Sequence, residues 1–307
     1  MPWISCVFIM MFSSGMCFSL LLNSWMLSWL SMELMMLGLY PMMYMSNKNF
    51  CSDSVMKYFL IQSLAAITMF LPGYIYFSLS NDQYFAIICL YMSIFLKLGL
   101  FPFHSWVIPV MVGLPVWVMT FTLGLAKLPP MWFMYSSLSQ NSFSESMILN
   151  VLISGGSMLT GSLLMIGTSN LRAMLGASSI SHTGWILASM MYGGSLNYIV
   201  TYLSTLFIVI VWVYTLDPIL LMWGMLSFSG LPPFMLFIGK ISLLKNLMYS
   251  IDSFFLINMI IISSIISLYV YMKFSFFFFL KSKPLKVKIF SSALSLSLFS
   301  GIIVFFY

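Results

Sequence analysis

The sequence predicts an all-α polytopic membrane protein with about eleven transmembrane helices, and three observations support this fold class. First, 62% of the 307 residues are hydrophobic and only 6% are charged, far fewer than a soluble surface needs. Second, apolar runs follow one another almost without pause, each close to the ~20 residues that cross a bilayer core. Third, lysine and arginine are concentrated in alternate connections. Together these exclude a soluble domain.

The apolar segments are taken in chain order. Their connections are short, so we expect consecutive segments to be antiparallel. The longest interruptions are 46–56 and 274–288. The predicted segments are 2–22, 25–45, 57–79, 84–103, 112–135, 146–168, 172–193, 196–215, 219–249, 253–273 and 289–307.

Charges in the connections predict the orientation of the chain. Positive residues near helix ends stay on the inner side of a membrane. They follow the even-numbered segments, at Lys48, Lys57, Arg172, Lys273, Lys281, Lys283, Lys286 and Lys288. Connections after odd-numbered segments hold Asp82, Glu145 and Asp252, with Lys245 as the nearby cation. The N-terminus is therefore predicted to lie inside and the C-terminus outside. The run 281–288 reads as a solvated loop near anionic lipid headgroups.

An internal repeat organises the chain. Residues 1–135 and 146–273 each hold five segments, and 289–307 adds one C-terminal helix. Because five is odd, the two copies must be inverted. The fourth segment of the first copy carries Lys97 just before Gly99 and Pro102, and its counterpart carries the stretch 229–234 (SGLPPF) followed by Lys240. Paired interrupted helices at matching positions indicate the ion path of a transporter.

Four ionisable residues lie well inside apolar segments: Glu33, Lys97, Lys127 and Lys240. A charge at membrane depth needs a partner, a water-filled cavity or a function. A carboxyl beside a lysine can pass a proton by changing partner, so we favour a proton path. The alternative is a structural ion pair that fastens two helices. For Lys127, which precedes Pro129 and Pro130, the alternative is a snorkelling side chain near a helix end.

The two histidines receive different interpretations. His104 follows the Pro102–Phe103 corner and is a candidate proton relay, since imidazole titrates near neutral pH. It could equally be an interfacial histidine at a helix end, and the sequence favours neither. His182 lies in the small, polar stretch 177–185. Small residues let helices approach closely and Ser, Thr and His bond across them, so we predict that His182 packs helices together.

Cofactor and metal motifs are absent from the sequence. Cys6, Cys17, Cys51 and Cys89 form no CxxC pair, and no histidine stands at ligand spacing from a cysteine or an acid, so we predict neither a disulfide framework nor a metal site. There is no GxGxxG, P-loop, CxxCH or nucleophile elbow, and hence no expected nicotinamide, flavin, haem or iron–sulfur site. The N-terminus lacks a cleavable signal pattern, so the first segment is expected to be retained.

Six stretches together resemble subunit 2 of mitochondrial NADH:ubiquinone oxidoreductase (respiratory complex I). The resemblance runs in order from about residue 25 to 245 and is weak over segments 1, 10 and 11. The stretches are 28–34 (SWLSMEL), 57–65 (KYFLIQSLA), 97–104 (KLGLFPFH), 113–115 (GLP), 171–185 (LRAMLGASSISHTGW) and 226–234 (LSFSGLPPF).

The resemblance implies an antiporter-like fold of two inverted five-helix repeats, each with a broken helix. It implies one of the proton-translocating modules of the membrane arm, in the mitochondrial inner membrane, with the N-terminus on the matrix side and the C-terminus on the intermembrane-space side. Glu33 then matches the key glutamate paired with Lys97, Lys127 the central lysine, and Lys240 the lysine of the second broken helix. One departure is that 107–112, before the Gly113 loop, lacks the acid often found there.

The same resemblance implies which cofactors and partners to expect for this chain. NADH, FMN, iron–sulfur clusters and ubiquinone are expected in other subunits of the complex, with no cofactor in this chain. The expected partners are other membrane-arm subunits and membrane lipids, with cardiolipin as a candidate, and no nucleic acid. Two alternatives share the fold. A stand-alone secondary cation/proton antiporter fits the broken helices, although a cation site wants more carboxylates than this chain offers. A purely structural scaffold would tolerate neutralisation of the four residues one by one without loss of pumping.

Overall fold

The computed structural model describes residues 2–22, 24–45, 51–78, 83–140, 144–250 and 254–281, and every regular element within these ranges is helical. Four of the described helices are long and apolar enough to cross a membrane. The elements in order are α1 (Pro2–Leu21), α2 (Trp25–Met45), α3 (Cys51–Ser78), α4 (Gln83–Leu98), α5 (Val107–Gly113), α6 (Val116–Leu123), a 3₁₀ turn (Leu125–Lys127), α7 (Leu128–Gln140), α8 (Ser144–Ile166), α9 (Leu171–Tyr192), α10 (Ser195–Thr215), α11 (Pro218–Ser229), α12 (Met235–Leu247) and α13 (Phe254–Lys281).

Two predicted segment ends are wrong because the helices extend beyond the apolar core. Helix α3 begins at Cys51 rather than residue 57, and α13 ends at Lys281 rather than residue 273. Lys57 and Lys273 therefore lie within helices and not in connections. At 1.5 Å per residue a 28-residue helix is ~42 Å long, longer than the ~30 Å hydrocarbon layer. The predicted segment 289–307 lies outside the described residues.

Segment 5 does not have its predicted form. It was expected to start at residue 112, but Val112 and Gly113 belong to α5, and α6 starts at Val116. Pro115 causes this boundary, because a proline pushes the residue before it into an extended conformation, and Leu114 has ψ 148°. The segment then breaks again at the 3₁₀ turn before α7. A Pro pair fits the first turn of a helix, where no donor is lost, so Pro129 and Pro130 mark a helix start.

The chain divides into two compact units. Unit 1 comprises the described residues of Met1–Leu149 and Ser169–Ile180, and unit 2 those of Asn150–Thr168 and Ser181–Tyr307. The boundary therefore falls inside both α8 and α9. Unit 1 contains the break between α4 and α5, and unit 2 contains the break between α11 and α12.

Helices α1, α2 and α3 pack tightly within unit 1. A Cβ atom on Gly15 would lie 2.6 Å from the Met35 backbone nitrogen, so only glycine allows α1 and α2 to approach this closely. Helices α2 and α3 are joined at two levels. Trp29 Nε1 donates to the Ala66 carbonyl at 3.1 Å, and Tyr58 OH donates to Met36 Sδ at 3.3 Å. These two bonds fix the antiparallel register of α2 and α3.

Unit 2 has the same kind of close helix packing. A Cβ atom on Gly161 of α8 would lie 2.5 Å from the Ser181 backbone nitrogen of α9. The rings of Phe228 on α11 and Tyr271 on α13 stack with their centroids 5.9 Å apart. Small residues at crossings and aromatic rings between helices supply van der Waals packing, which is the main attraction available between helices in lipid.

Candidate functional site

The break after α4 is a helix end closed by a Schellman motif. Gly99 has φ +71°, a left-handed conformation that glycine adopts without steric cost. The Leu100 N–H donates to the Phe95 carbonyl at 3.0 Å, and the Gly99 N–H donates to the Leu96 carbonyl at 3.3 Å. This pair of bonds is the signature of the motif. Glycine is also required by space, because a Cβ atom at this position would collide with Val107.

Side chains bond the carbonyls near this helix end. Trp106 Nε1 donates to the Leu96 carbonyl at 3.2 Å, and Gln62 Nε2 of α3 donates to the Lys97 carbonyl at 3.1 Å. The carbonyls of residues 95, 96 and 97 thus all have protein partners. A non-helical stretch at membrane depth is tolerated when protein buries it and bonds its backbone.

Lys97 and Glu33 form an ion pair in unit 1. Lys97 Nζ lies 3.0 Å from Glu33 Oε1, and the Lys97 side chain is 1% exposed while that of Glu33 is 31% exposed. The pair joins the middle of α2 to the last turn of α4. A buried ammonium is strongly unfavourable without such a partner. The structure thus brings together the two residues that the resemblance had paired.

Lys127 lies inside predicted segment 5, at the point where the segment breaks for a second time. It ends the 3₁₀ turn between α6 and α7 and is buried. Its Nζ donates to the Ser179 carbonyl of α9 at 3.4 Å. Within the described ranges, the ion-pair partner of Glu33 is Lys97 and no carboxylate pairs with Lys127. Lys127 is therefore held by a neutral acceptor inside unit 1.

Lys240 closes the second break, within unit 2. Helix α11 ends at Ser229, the chain turns at Gly230 with φ +69°, and α12 starts at Met235. Lys240 Nζ donates to the Ser229 carbonyl at 2.8 Å. A cation is favourable at a helix C-terminus, where carbonyls lack helical partners. Lys240 Nζ also lies 5.4 Å from the centre of the Trp185 ring, within the range of a cation–π contact.

His182, which the sequence predicts to pack helices together, also lies within hydrogen-bond distance of two tyrosine hydroxyls. Its Nδ1 lies 2.9 Å from Tyr198 OH and its Nε2 lies 3.3 Å from Tyr271 OH. The Tyr202 ring centroid is 5.1 Å from that of His182. Trp185, which contacts Lys240, stacks on Tyr198 with centroids 5.8 Å apart. The four-residue spacing of Tyr198 and Tyr202 on one face of α10 was the available sequence signal.

His104 lies in the connection between α4 and α5. Its ring stacks on Phe101 with centroids 6.2 Å apart. Its Nδ1 is buried and has no hydrogen-bond partner among the described residues. No hydrogen bond between described side chains joins His104 to Glu33, Lys97 or Lys127, so the structure does not connect His104 to the other proposed proton-path residues.

A metal site is a separate question. In the same described ranges, no group of three or more His, Cys, Asp or Glu residues could hold a metal ion.

Comparisons with known proteins agree with one another. The family profile described as "NADH:quinone oxidoreductase/Mrp antiporter, TM" matches residues 23–216. NADH-ubiquinone oxidoreductase chain 2 of Albinaria caerulea is 35% identical over 282 residues, which cover 92% of this chain and 91% of the relative. The protein of the same name from Anopheles gambiae is 31% identical over 89% of this chain and 85% of its own length.

Solved structures share the fold. A chain of respiratory complex I from Thermus thermophilus superposes with a TM-score of 0.80 at 20% identity, over 98% of this chain and 76% of that one. A chain of an Mrp complex from a Dietzia species gives a TM-score of 0.78 at 16% identity, over 87% of this chain and 59% of that one. At these identities the likeness concerns the fold, which is antiporter-like. The profile match and the relatives in sequence together show that the chain belongs to the NADH-ubiquinone oxidoreductase chain 2 family.

Proposed function

We propose that this chain translocates protons as a core membrane-arm subunit of respiratory complex I, through a set of buried Glu and Lys residues. The observation that carries the proposal is the pair of helix breaks, each with a buried lysine bonded at the broken end. NADH oxidation and ubiquinone reduction take place in other subunits, which hold NADH, FMN, iron–sulfur clusters and ubiquinone. The energy of that chemistry shifts the pairing of Glu33 with Lys97 in this chain.

Glu33 and Lys97 begin the proposed path. An ion pair that one further proton can open is a natural switch, because protonation of Glu33 removes the charge that holds Lys97. Lys127 and Lys240 are bonded to carbonyl oxygens, so they can release or accept a proton without separating an ion pair. A proton then moves toward Lys127 and Lys240 and leaves on the outer side. His104 is the proposed additional relay.

The same proposal includes the finer architecture and the location. We place two inverted five-helix repeats at 1–135 and 146–273, with one more helix at 289–307. The chain is multi-pass in the mitochondrial inner membrane, with its N-terminus on the matrix side and its C-terminus on the intermembrane-space side. Other membrane-arm subunits cover its flanks, and membrane lipids, cardiolipin among them, contact the basic connections. This chain needs no cofactor of its own for such a role.

A matched pair of lysine variants tests the proposal. Lys240 and Lys245 lie on the same helix, but Lys240 is buried and bonded whereas Lys245 is exposed. In membrane vesicles with the assembled complex, Lys240→Met should lower the protons translocated per NADH oxidised, and Lys245→Met should leave that ratio unchanged. The amount of complex is read from a native gel stained for NADH dehydrogenase activity. Normal stoichiometry in the Lys240→Met complex would support a structural scaffold instead.

A further inference from the structure

Gln62 is a buried polar residue, and only one of the two polar groups of its side-chain amide forms a hydrogen bond. It lies on α3 and is 2% exposed. Its Nε2 donates to the Lys97 carbonyl at 3.1 Å, and this bond fixes the orientation of the amide, because only the NH₂ end can donate to a carbonyl. Its Oε1 is buried and has no hydrogen-bond partner among the described residues. An amide oxygen has room for two hydrogen bonds, so this one is a free acceptor in the core of unit 1.

The helix register places Gln62 at the depth of the ion pair. Trp29 of α2 bonds Ala66 of α3, and Met36 of α2 bonds Tyr58 of α3. Between these two levels the antiparallel count sets Glu33 opposite Gln62. Lys97 is accordingly held from two helices at one depth, its ammonium by Glu33 and its carbonyl by Gln62.

Lys97 has hydrogens to spare at this level. An ammonium carries three N–H donors, and the described bond from Lys97 Nζ goes to Glu33 Oε1. The Lys97 side chain is 1% exposed, so bulk water does not take the other two. A donor with free hydrogens and an acceptor with free lone pairs thus belong to the same small cluster, defined as Glu33, Gln62 and Lys97.

We infer that Gln62 is a positioning residue for proton transfer, which holds the end of α4 through its NH₂ group and offers Oε1 as a second acceptor for the Lys97 ammonium. This inference rests on the proposed function. When Glu33 takes up a proton, its carboxylate becomes a neutral carboxyl and the ion pair is lost. Lys97 keeps its three protons and turns one of them to the amide oxygen. The amide is too weak a base to take that proton, so it orients Lys97 without discharging it. Loss of the proton from Glu33 restores the ion pair.

An exchange of the two groups separates this role from a simple helix cap. In Glu33→Gln/Gln62→Glu, the carboxylate and the amide trade places across Lys97. If both side chains face the ammonium, this double variant should recover proton translocation about threefold or more over Glu33→Gln alone, a gain worth one good hydrogen bond. A residue that only caps α4 predicts no recovery, because a carboxylate cannot donate to the Lys97 carbonyl.

Two single variants complete the set. Gln62→Met keeps the length of the side chain but removes both polar atoms, and it should lower translocation per NADH oxidised about threefold to tenfold. Ser63→Ala, next to Gln62 on α3, removes a hydroxyl whose described bond goes to the Leu60 carbonyl of the same helix, and it should leave that ratio unchanged. All ratios are measured on the assembled complex and normalised to its amount on a native gel.

The outcomes are distinct. If Glu33→Gln alone translocates normally, the proposed role of Glu33 fails and the inference falls with it. If Glu33→Gln is impaired, the exchange brings no recovery and Gln62→Met has a normal ratio, the inference is wrong while the proposed function stands. If the exchanged variant does not assemble, Gln62→Met decides alone, and a normal ratio per assembled complex overturns the inference.

Discussion

Three buried lysines of this chain, at positions 97, 127 and 240, are held by three different kinds of partner. Lys97 pairs with a carboxylate, Lys127 bonds a carbonyl within a long helix, and Lys240 bonds the carbonyl that ends a broken helix and faces an aromatic ring. Only the first arrangement holds a full opposite charge. Opening the first arrangement therefore separates two charges, whereas opening either of the other two leaves a neutral acceptor behind.

Removing one partner of the ion pair should lower the stability of the complex more than removing both partners. Glu33→Leu leaves the Lys97 ammonium buried without its carboxylate, which costs about 3–5 kcal/mol for a fully buried pair. Because Glu33 is 31% exposed, solvent screening lowers the expected cost to about 1–3 kcal/mol. Glu33→Leu/Lys97→Met removes both charges and should be closer to wild type. The measurement is the midpoint of thermal inactivation of the assembled complex. An equal fall for the single and the double variant would contradict this.

The sequence singles out as candidates those residues that contrast most with their surroundings. Glu33, Lys97, Lys127 and Lys240 each interrupt an apolar run, and a charge in such a run is rare. Gln62 and Tyr198 are neutral polar residues of a kind common in membrane helices. Their significance comes from partners 35 and 16 residues away in the chain. A single sequence carries no direct signal of such pairings.

At the scale of elements, the Gly/Pro stretches at 99–102 and 229–234 correctly predicted where segments 4 and 9 break. They did not predict how the broken ends are bonded. The Gln62 and Trp106 side chains at one break, and Lys240 at the other, come from outside the terminating helix. Each such cap depends on the packing of a second helix or of the returning chain, and packing follows from the whole fold rather than from the local sequence.

The first break should depend on Gly99. In Gly99→Ala, the L-residue is forced into a left-handed conformation, at about 1–2 kcal/mol, and its Cβ atom collides with Val107. We expect less assembled complex and a lower thermal midpoint. Gly167→Ala is the matched control, because the nearest atom to its Cβ is the Leu164 oxygen at 3.8 Å, an ordinary contact. Equal stability of the two variants would show that the Schellman turn is not what holds Lys97 in place.

At the scale of the whole molecule, the bilayer itself made the fold predictable. The hydrocarbon layer sets a length of ~20 residues per helix, so the all-helical membrane class follows from composition. Helix ends do not, because polar residues beyond the hydrocarbon layer are compatible with helix or coil, and α3 and α13 therefore exceed their predicted bounds. The same constraint accounts for a TM-score of 0.80 at 20% identity, since the fold needs apolar spans and two breaks more than it needs particular residues.

The charge distribution of the connections predicts which side of the membrane each one faces. Ser169 is exposed in the connection between α8 and α9, next to the basic Arg172, and should face the matrix. Tyr249 is 80% exposed just after α12, on the side that carries Asp252, and should face the intermembrane space. A background without the native cysteines is made first, since Cys6 and Cys17 are exposed. Ser169→Cys and Tyr249→Cys are then introduced one at a time.

A membrane-impermeant maleimide distinguishes the two positions. With the outer membrane opened and the inner membrane intact, the reagent should label Cys at position 249 and leave position 169 unlabelled. In inverted inner-membrane vesicles, which expose the matrix face, the pattern should reverse. Lysine and arginine rather than net charge set orientation, so Arg172 is the residue that places the connection with Ser169 on the matrix side. Labelling of position 169 in the first preparation would invert the whole topology, and with it the direction in which Lys240 is proposed to release its proton.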